Sequence, residues 1–265
     1  MQEKRTEVVL EGPKGDMSLL EHLDELRGVL IRSGIALMIG IGVVSAALPW
    51  FADILNWPLD LALGERREDI LQGGLNTTGP MGVFSVILQV TFFGGFGLAL
   101  PFMLYFAGKF VSPALTPRER RLLAPATLCI LLLFITGCSF SFGILVPAAL
   151  KASLFFNDLF DYRILWRADS YYNMLIWMTL GVGLVFEFPL VLVLLIHLKI
   201  LSCQQLCAYR RHSIAVFLLV AAVITPTTDP FTFLFLALSL YVLYEISILI
   251  GKRIEKRRPQ ASESL

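Results

Sequence analysis

The stretch that decides the fold runs from Leu122 to Leu150 and reads LLAPATLCILLLFITGCSFSFGILVPAAL, 29 residues without a charge between Arg121 and Lys151. At the helical rise it covers ~43 Å, more than a hydrocarbon core of ~30 Å requires. Moving outward, 20 uncharged residues lie between Arg32 and Asp53, and Glu245 is the only charge between Asp229 and Lys252. Such runs read as membrane-spanning helices. The whole chain agrees. Of its 265 residues 56% are hydrophobic and 16% charged, with a mean hydropathy of +0.73, whereas a soluble domain carries roughly 25% charge. The pattern predicts an all-α polytopic membrane protein and excludes a soluble one.

The uncharged runs predict six spans: near Ser33–Trp50, Phe84–Gly108, Leu122–Val146, Tyr172–Leu198, Ile214–Ile224 and Phe231–Ile250. Six spans put both termini on one side, and the bases choose it. The N-terminal segment, the 109–121 connector, the 199–211 connector and the C-terminal tail hold 17 of the 22 Lys and Arg residues. The positive-inside rule places these segments, and both termini, in the cytoplasm. Trp50, Trp57, Trp166 and Trp177 fall at or near the outer boundary, where amphipathic rings prefer to sit. The expected organisation is a cytoplasmic segment 1–28 with an amphipathic helix, a membrane domain 29–251, and a basic, disordered tail 252–265. Seven carboxylates in the first 28 residues argue against a cleavable signal, so the first apolar run is expected to be retained. The outer loop 147–170, with Phe155, Phe156, Phe160 and Tyr162, is expected to lie against the headgroups. The fifth span is anomalous, because 11 apolar residues make only ~16 Å of helix.

Net charge is +1, which gives no footprint for nucleic acid. None of Cys129, Cys138, Cys203 and Cys207 has zinc or redox spacing. No HExxH and no Ser/His/Asp arrangement appears, so neither a metal, a cofactor nor an enzymatic activity is expected. The informative residues are the charged ones near membrane. Ser18 and Glu21 form a capping box opening a helix over Ser18–Leu30, whose Leu19, Leu23, Leu26 and Leu30 make an apolar stripe. Its charges, Glu25 and Arg27 among them, read as a solvated face or as a site. The inner connector Ser112-Pro-Ala-Leu-Thr-Pro-Arg-Glu-Arg-Arg121 is stiffened by Pro113 and Pro117 and carries a single carboxylate, Glu119, among arginines. Glu187 lies within the fourth span, where an ionisable group costs ~2.5–3.5 kcal/mol or more and normally faces a cavity or partner. Glu245, seven residues from Lys252, is explained by snorkelling or a local ion pair. Asp229, in the turn Thr225-Pro-Thr-Thr-Asp-Pro230, reads as a cap of the sixth helix or as functional.

These residues in order resemble the TatC family, the core subunit of the twin-arginine protein translocase. The resemblance rests on Met17-Ser-Leu-Leu-Glu-His-Leu-Asp-Glu-Leu-Arg27, Pro58 in Trp57-Pro-Leu, Pro101 in the second span, and Phe110-Val-Ser-Pro-Ala-Leu115 leading to Glu119-Arg-Arg121. It continues through Phe186-Glu-Phe-Pro189, Thr225-Pro226 with Asp229, and Tyr241-Val-Leu-Tyr-Glu245. It implies a receptor in the cytoplasmic membrane that binds paired-arginine signal peptides at its cytoplasmic face and gathers TatA- and TatB-like single-span partners. Self-association in a receptor complex is also implied. Glu25 and Glu119 match the family's inner-face carboxylates, which suits a guanidinium ligand because the arginine fork pairs bidentately with carboxylate. Arg27 and Arg121 would be their orienting neighbours. Glu187, with Thr225 and Asp229, would form an intramembrane polar site for a partner helix. Pro58, Pro101, Phe110, Pro113 and Pro189 would be structural. Short fifth and sixth spans would thin the bilayer locally.

The chain departs from the family pattern at four positions. Phe106 and Gly108 replace the usual Gln and Trp, Phe233 replaces an amide, and Ser239 stands where proline is usual. An ion-coupled transporter with Glu187 and Glu245 as a proton relay, and an inactive scaffold, are the competing readings.

Overall fold

The computed structural model describes residues 19–71, 74–77, 79–111, 123–225 and 229–257. Its elements are α1 (Leu19–Ala46), α2 (Leu48–Leu63), a 3-10 turn, α3 (Arg67–Leu71) and α4 (Pro80–Val111), followed by α5 (Leu123–Phe140). A π-helical turn at Ser141–Leu145 joins α5 to α6 (Val146–Leu159). Then come α7 (Ala168–Val185), α8 (Phe188–His197), α9 (Cys203–Ala208), α10 (Arg210–Ile224) and α11 (Pro230–Arg257). Five passes are long and apolar enough to cross a bilayer: His22–Ala46, Met81–Phe110, Pro125–Leu159, Ala168–His197 and Pro230–Lys256. The expected fifth span is α10, whose 15 residues give ~22 Å of helix.

The helices alternate in direction and define two ends. One end gathers the start of α1, the end of α4, the end of α8, α9, the start of α10 and the end of α11. It carries Arg27, Arg32, Lys109, Lys199, Arg210, Arg211, Lys252, Arg253, Lys256 and Arg257, and is called here the basic end. At the opposite end α2, α3 and the connectors form a cap. Tyr171 Oη donates to the Leu55 carbonyl at 2.6 Å and Tyr172 Oη to Asn56 Oδ1 at 3.0 Å. Asn76 exchanges backbone hydrogen bonds with Trp166 and Ala168, both 2.9 Å. Arg66 grips Asp158 through both guanidinium nitrogens at 3.1 and 3.3 Å, which holds the Arg66 pKa above its ordinary value. These contacts tie α2 and its connectors to α6 and α7. Trp50, Trp57 and Trp177 are exposed.

Two expectations change here. The helix expected over Ser18–Leu30 does not end at Leu30. It runs unbroken to Ala46, because 19–46 contains no proline to stop it. Likewise the third pass does not end at Val146 but continues as α6 through Leu159, with Pro147 just beyond the π-helical turn Ser141–Leu145. The first turns of segment 147–170 thus continue the pass. At the C-terminus α11 continues through Arg257. The capping residue Ser18 and the segments 112–122, 226–228 and 258–265 lie outside the described residues.

Close helix approach rests on small residues. A methyl group on Gly40 would collide with the Gly95 carbonyl oxygen, which lets α1 and α4 cross backbone to backbone. At the second crossing a Cβ on Gly137 would sit 2.8 Å from Phe186, and one on Gly183 would sit 2.6 Å from Cys138 Sγ. In a membrane, where lipid is as apolar as leucine, such van der Waals contact is what holds helices together.

Candidate functional site

The polar features fall into three places. The first is at the basic end, where α1 meets the last turn of α4. His22 stacks on Phe110 with ring centroids 4.5 Å apart, fixing the two helices relative to one another. Beneath this stack Asp24, Glu25, Gly28, Val29, Arg32, Lys109 and Phe110 enclose a pocket of about 550 Å³. Glu25 is half-buried, and its Oε2 is shielded from solvent with no hydrogen-bond partner among the described residues. A desolvated carboxylate oxygen without a donor is costly. The pocket carries two carboxylates and two cations. Arg27 is exposed on α1 and does not line it. Glu119, Arg121 and Pro113 lie outside the described residues.

The second place is the break between α7 and α8. Pro189 sits in the first turn of α8. Its missing N–H and its ring leave the carbonyl four residues back without an intrahelical partner. The chain responds by tightening, so Glu187 N bonds to the Leu184 carbonyl at 3.1 Å. The Glu187 side chain is thereby held at 8% exposure, beside the α5 backbone. Neither carboxylate oxygen has a hydrogen bond of good geometry among the described residues.

The third place is the turn between α10 and α11. Asp229 Oδ1 accepts the Thr232 backbone N–H at 2.7 Å, which caps α11, while its Oδ2 is buried with no partner among the described residues. Thr225 returns its hydroxyl to the Ala221 carbonyl at 2.7 Å. The structure brings Thr225 and Asp229 to one turn but does not bring Glu187 to them. Ile224 packs on Gly181, and Glu187 lies six residues further along, about 9 Å towards the basic end. The expected three-residue polar site is thus two sites at different depths.

Glu245 is not paired with Lys252. Arg210, at the start of α10, donates to its Oε2 at 2.8 Å, and Tyr241 Oη donates to its Oε1 at 3.1 Å. A relay through Glu187 and Glu245 would need two available carboxylates, and Glu245 is occupied. No three His, Cys, Asp or Glu side chains among the described residues converge as metal ligands.

The structural residues fall where they stiffen crossings. Pro58 is buried in α2, and Pro101 interrupts α4 beside an apolar groove that Phe134, Cys138 and Thr179 also line. Two departures from the family pattern have a local account. Phe233 packs against the core, and Ser239 Oγ donates to the Phe235 carbonyl at 2.8 Å, the carbonyl that a proline at 239 would leave free. Near α9, Glu255 Oε1 accepts the Cys203 N–H at 3.0 Å. Burial and this carboxylate push the Cys203 thiol up to about 11.

Five helical passes long and apolar enough to cross a bilayer, packed closely through glycines, define a polytopic membrane protein. The comparisons name the family. Residues 21–238 match the family model TatC, Sec-independent protein translocase protein. The chain is 32% identical to the Sec-independent protein translocase protein TatC of Koribacter versatilis, covering 98% of this chain and 95% of that protein. It is also 32% identical to that of Aquifex aeolicus, covering 94% of this chain and 100% of the relative. A crystal structure of the twin-arginine translocase receptor TatC superposes with a TM-score of 0.74 at 32% identity, covering 89% of this chain and 100% of that one. The chain belongs to the TatC family and is a core subunit of a Sec-independent, twin-arginine protein translocase.

Proposed function

We propose that this chain is the receptor of its translocase, binding paired-arginine signal peptides of folded precursors at the basic end. The observation that carries this is the buried, unpartnered Oε2 of Glu25 in the pocket between α1 and α4. A guanidinium satisfies both oxygens of a carboxylate at once, which an ammonium does less well. Glu119 supplies a second carboxylate from the 112–122 connector, with Arg27 and Arg121 as orienting neighbours. The positive-inside rule faces this end, and both termini, to the cytoplasm, in the cytoplasmic membrane. The test is site-specific photocrosslinking from positions beside Glu25 to an Arg-Arg precursor and to its Lys-Lys control. Labelling that favours Arg-Arg is expected, and equal labelling overturns the reading.

Glu187 serves a different ligand. A carboxylate with both oxygens unpartnered inside a span seeks a donor, and a polar group on a TatA- or TatB-like single-span helix supplies one. Thr225 and Asp229 offer a second polar contact at the α10–α11 turn. The protein self-associates in the receptor complex. Around α10 the bilayer is drawn thin, because ~22 Å of helix meets a core of ~30 Å, and this lowers the barrier to a folded passenger.

A further inference from the structure

The pocket that holds Glu25 is not simply acidic. Its lining carries Asp24 and Glu25 but also Arg32, two turns along α1, and Lys109, in the last turn of α4. These four charges sum to zero. A ligand bearing adjacent arginines therefore meets a site that already contains its own counter-cations. Neither Arg32 nor Lys109 forms an ion pair among the described residues, and both side chains are exposed, so each is free to swing over the carboxylates or away from them.

We propose that Lys109, assisted by Arg32, is a built-in like charge that opposes a cationic signal peptide and so sets the affinity of this pocket. The inference rests on the receptor reading and deepens it. Lysine suits this role physically. Its ammonium is a strongly hydrated point charge on a flexible stem, whereas an arginine presents a planar fork that matches a carboxylate with two bonds. A lysine beside Glu25 therefore lowers the field that any cation feels on approach. A Lys-Lys ligand meets the same repulsion and lacks the fork that engages both carboxylate oxygens. The preference for Arg-Arg comes from the carboxylate, and Lys109 scales both affinities alike.

The test is equilibrium binding of a fluorescent Arg-Arg signal peptide and its Lys-Lys control to the full chain in detergent. For the unaltered chain, Arg-Arg is expected to bind more tightly. Lys109→Gln removes the like charge, so the Kd for Arg-Arg is expected to fall by about threefold at low salt. Lys-Lys is expected to gain about as much, leaving the preference for Arg-Arg in place. Both gains are expected to vanish near about 0.5 M salt, where exposed charges are screened. Lys109→Arg, which keeps the charge, returns the affinity to the unaltered level or below, and Arg32→Gln shows a smaller gain than Lys109→Gln. A purely structural role for Lys109 predicts weaker binding in Lys109→Gln at every salt concentration. Unchanged or weaker binding there, with Arg-Arg still preferred by the unaltered chain, overturns this inference alone. An unaltered chain that does not distinguish the peptides overturns the receptor reading and this inference with it.

Discussion

Arg210 Nη2 meets Glu245 Oε2 at 2.8 Å, which ties the first residue of α10 to α11. Tyr241 Oη holds the other carboxylate oxygen at 3.1 Å, so the acid is fixed from two helices. Arg210→Ala leaves this carboxylate half-satisfied, and Glu245→Ala leaves the guanidinium unpaired. Because both side chains are partly exposed, at 42% and 28%, the coupling is expected to be modest, about 1 kcal/mol. A double-mutant cycle on unfolding in detergent measures it. Fully additive single variants would show that the pair does not hold the hairpin.

Cys203 is buried beside Glu255, and its thiol is raised from 9.0 to about 11. The thiolate is the reactive species, so the shift cuts its fraction roughly a hundredfold at any pH well below both values. Maleimide labelling near neutral pH is expected to spare Cys203 relative to Cys207, with Cys203 labelling climbing only at strongly alkaline pH. Glu255→Gln removes the charge that favours the protonated thiol and is expected to advance that climb to lower pH. Equal labelling of the two cysteines at neutral pH would contradict the assignment.

The crossing of α5 and α7 depends on Gly137 and Gly183. A methyl at Gly183 meets Cys138 Sγ and the Phe134 ring, and one at Gly137 meets Phe186 and the Gly183 backbone. The Phe134 ring and the sulfur can shift slightly, whereas the Gly183 backbone cannot. Both Gly137→Ala and Gly183→Ala are expected to destabilise by about 1–3 kcal/mol, with Gly137→Ala the more costly. Thermal unfolding in detergent reads this order. Gly183→Ala combined with Cys138→Ala is expected to recover part of the loss.

Much of this architecture is written in charge spacing. The runs from Arg32 to Asp53 and from Arg121 to Lys151 are long because lipid excludes charge, so the spans and their direction follow from where lysine and arginine are absent. Glu187 stood out for the same reason, and Asp229 as a cap follows from its place before Pro230. The rest depends on pairs of residues far apart in sequence. Nothing local marks Arg210 as the partner of Glu245, 35 residues away, whereas Lys252 lies on the same helix and looks closer. Nor does the sequence of α2 reveal that Leu55 and Asn56 receive the hydroxyls of Tyr171 and Tyr172, 116 residues later. The pocket lining was half legible. Glu25 matched a pattern, but Lys109 counted only as a topology signal until α1 and α4 were seen to meet there.

Glu187 offers a contrast between stability and function. A buried acid without partners is a net cost to the isolated chain, and replacing buried ionic groups by apolar ones of similar volume is often stabilising by 1–4 kcal/mol, as a general range. Glu187→Met is therefore expected to unfold at a higher temperature than the unaltered chain. The same variant is expected to bind signal peptide normally and to lose partner-helix contacts and export. Unchanged complex assembly and export would remove Glu187 from the partner site. A lower unfolding temperature would mean that the acid is satisfied within the chain.

The bilayer around α10 meets a short apolar helix. Two measures of its height agree. The helix itself has 15 residues, or ~22 Å. Along its neighbour, the charges at Asp229 and Glu245 are 16 residues apart, or ~24 Å. Arg210 and Glu245 cannot slide deeper without taking an ion pair from the interface into hydrocarbon, and Asp229 is held at the other end by its cap on α11. Lipid must then come to the protein, as mismatch is met by local thinning when the helix cannot lengthen. Depth labels at Leu219 and Val223, both exposed on α10, are compared with labels at Leu88 on α4 and Ile135 on α5. The apolar layer around α10 is expected to be about 6–8 Å thinner than that around α4 and α5, by the difference between ~22–24 Å and ~30 Å. Equal thickness at both places would mean that α10 sinks against its neighbours instead, and the thinning step of the proposed mechanism would fail.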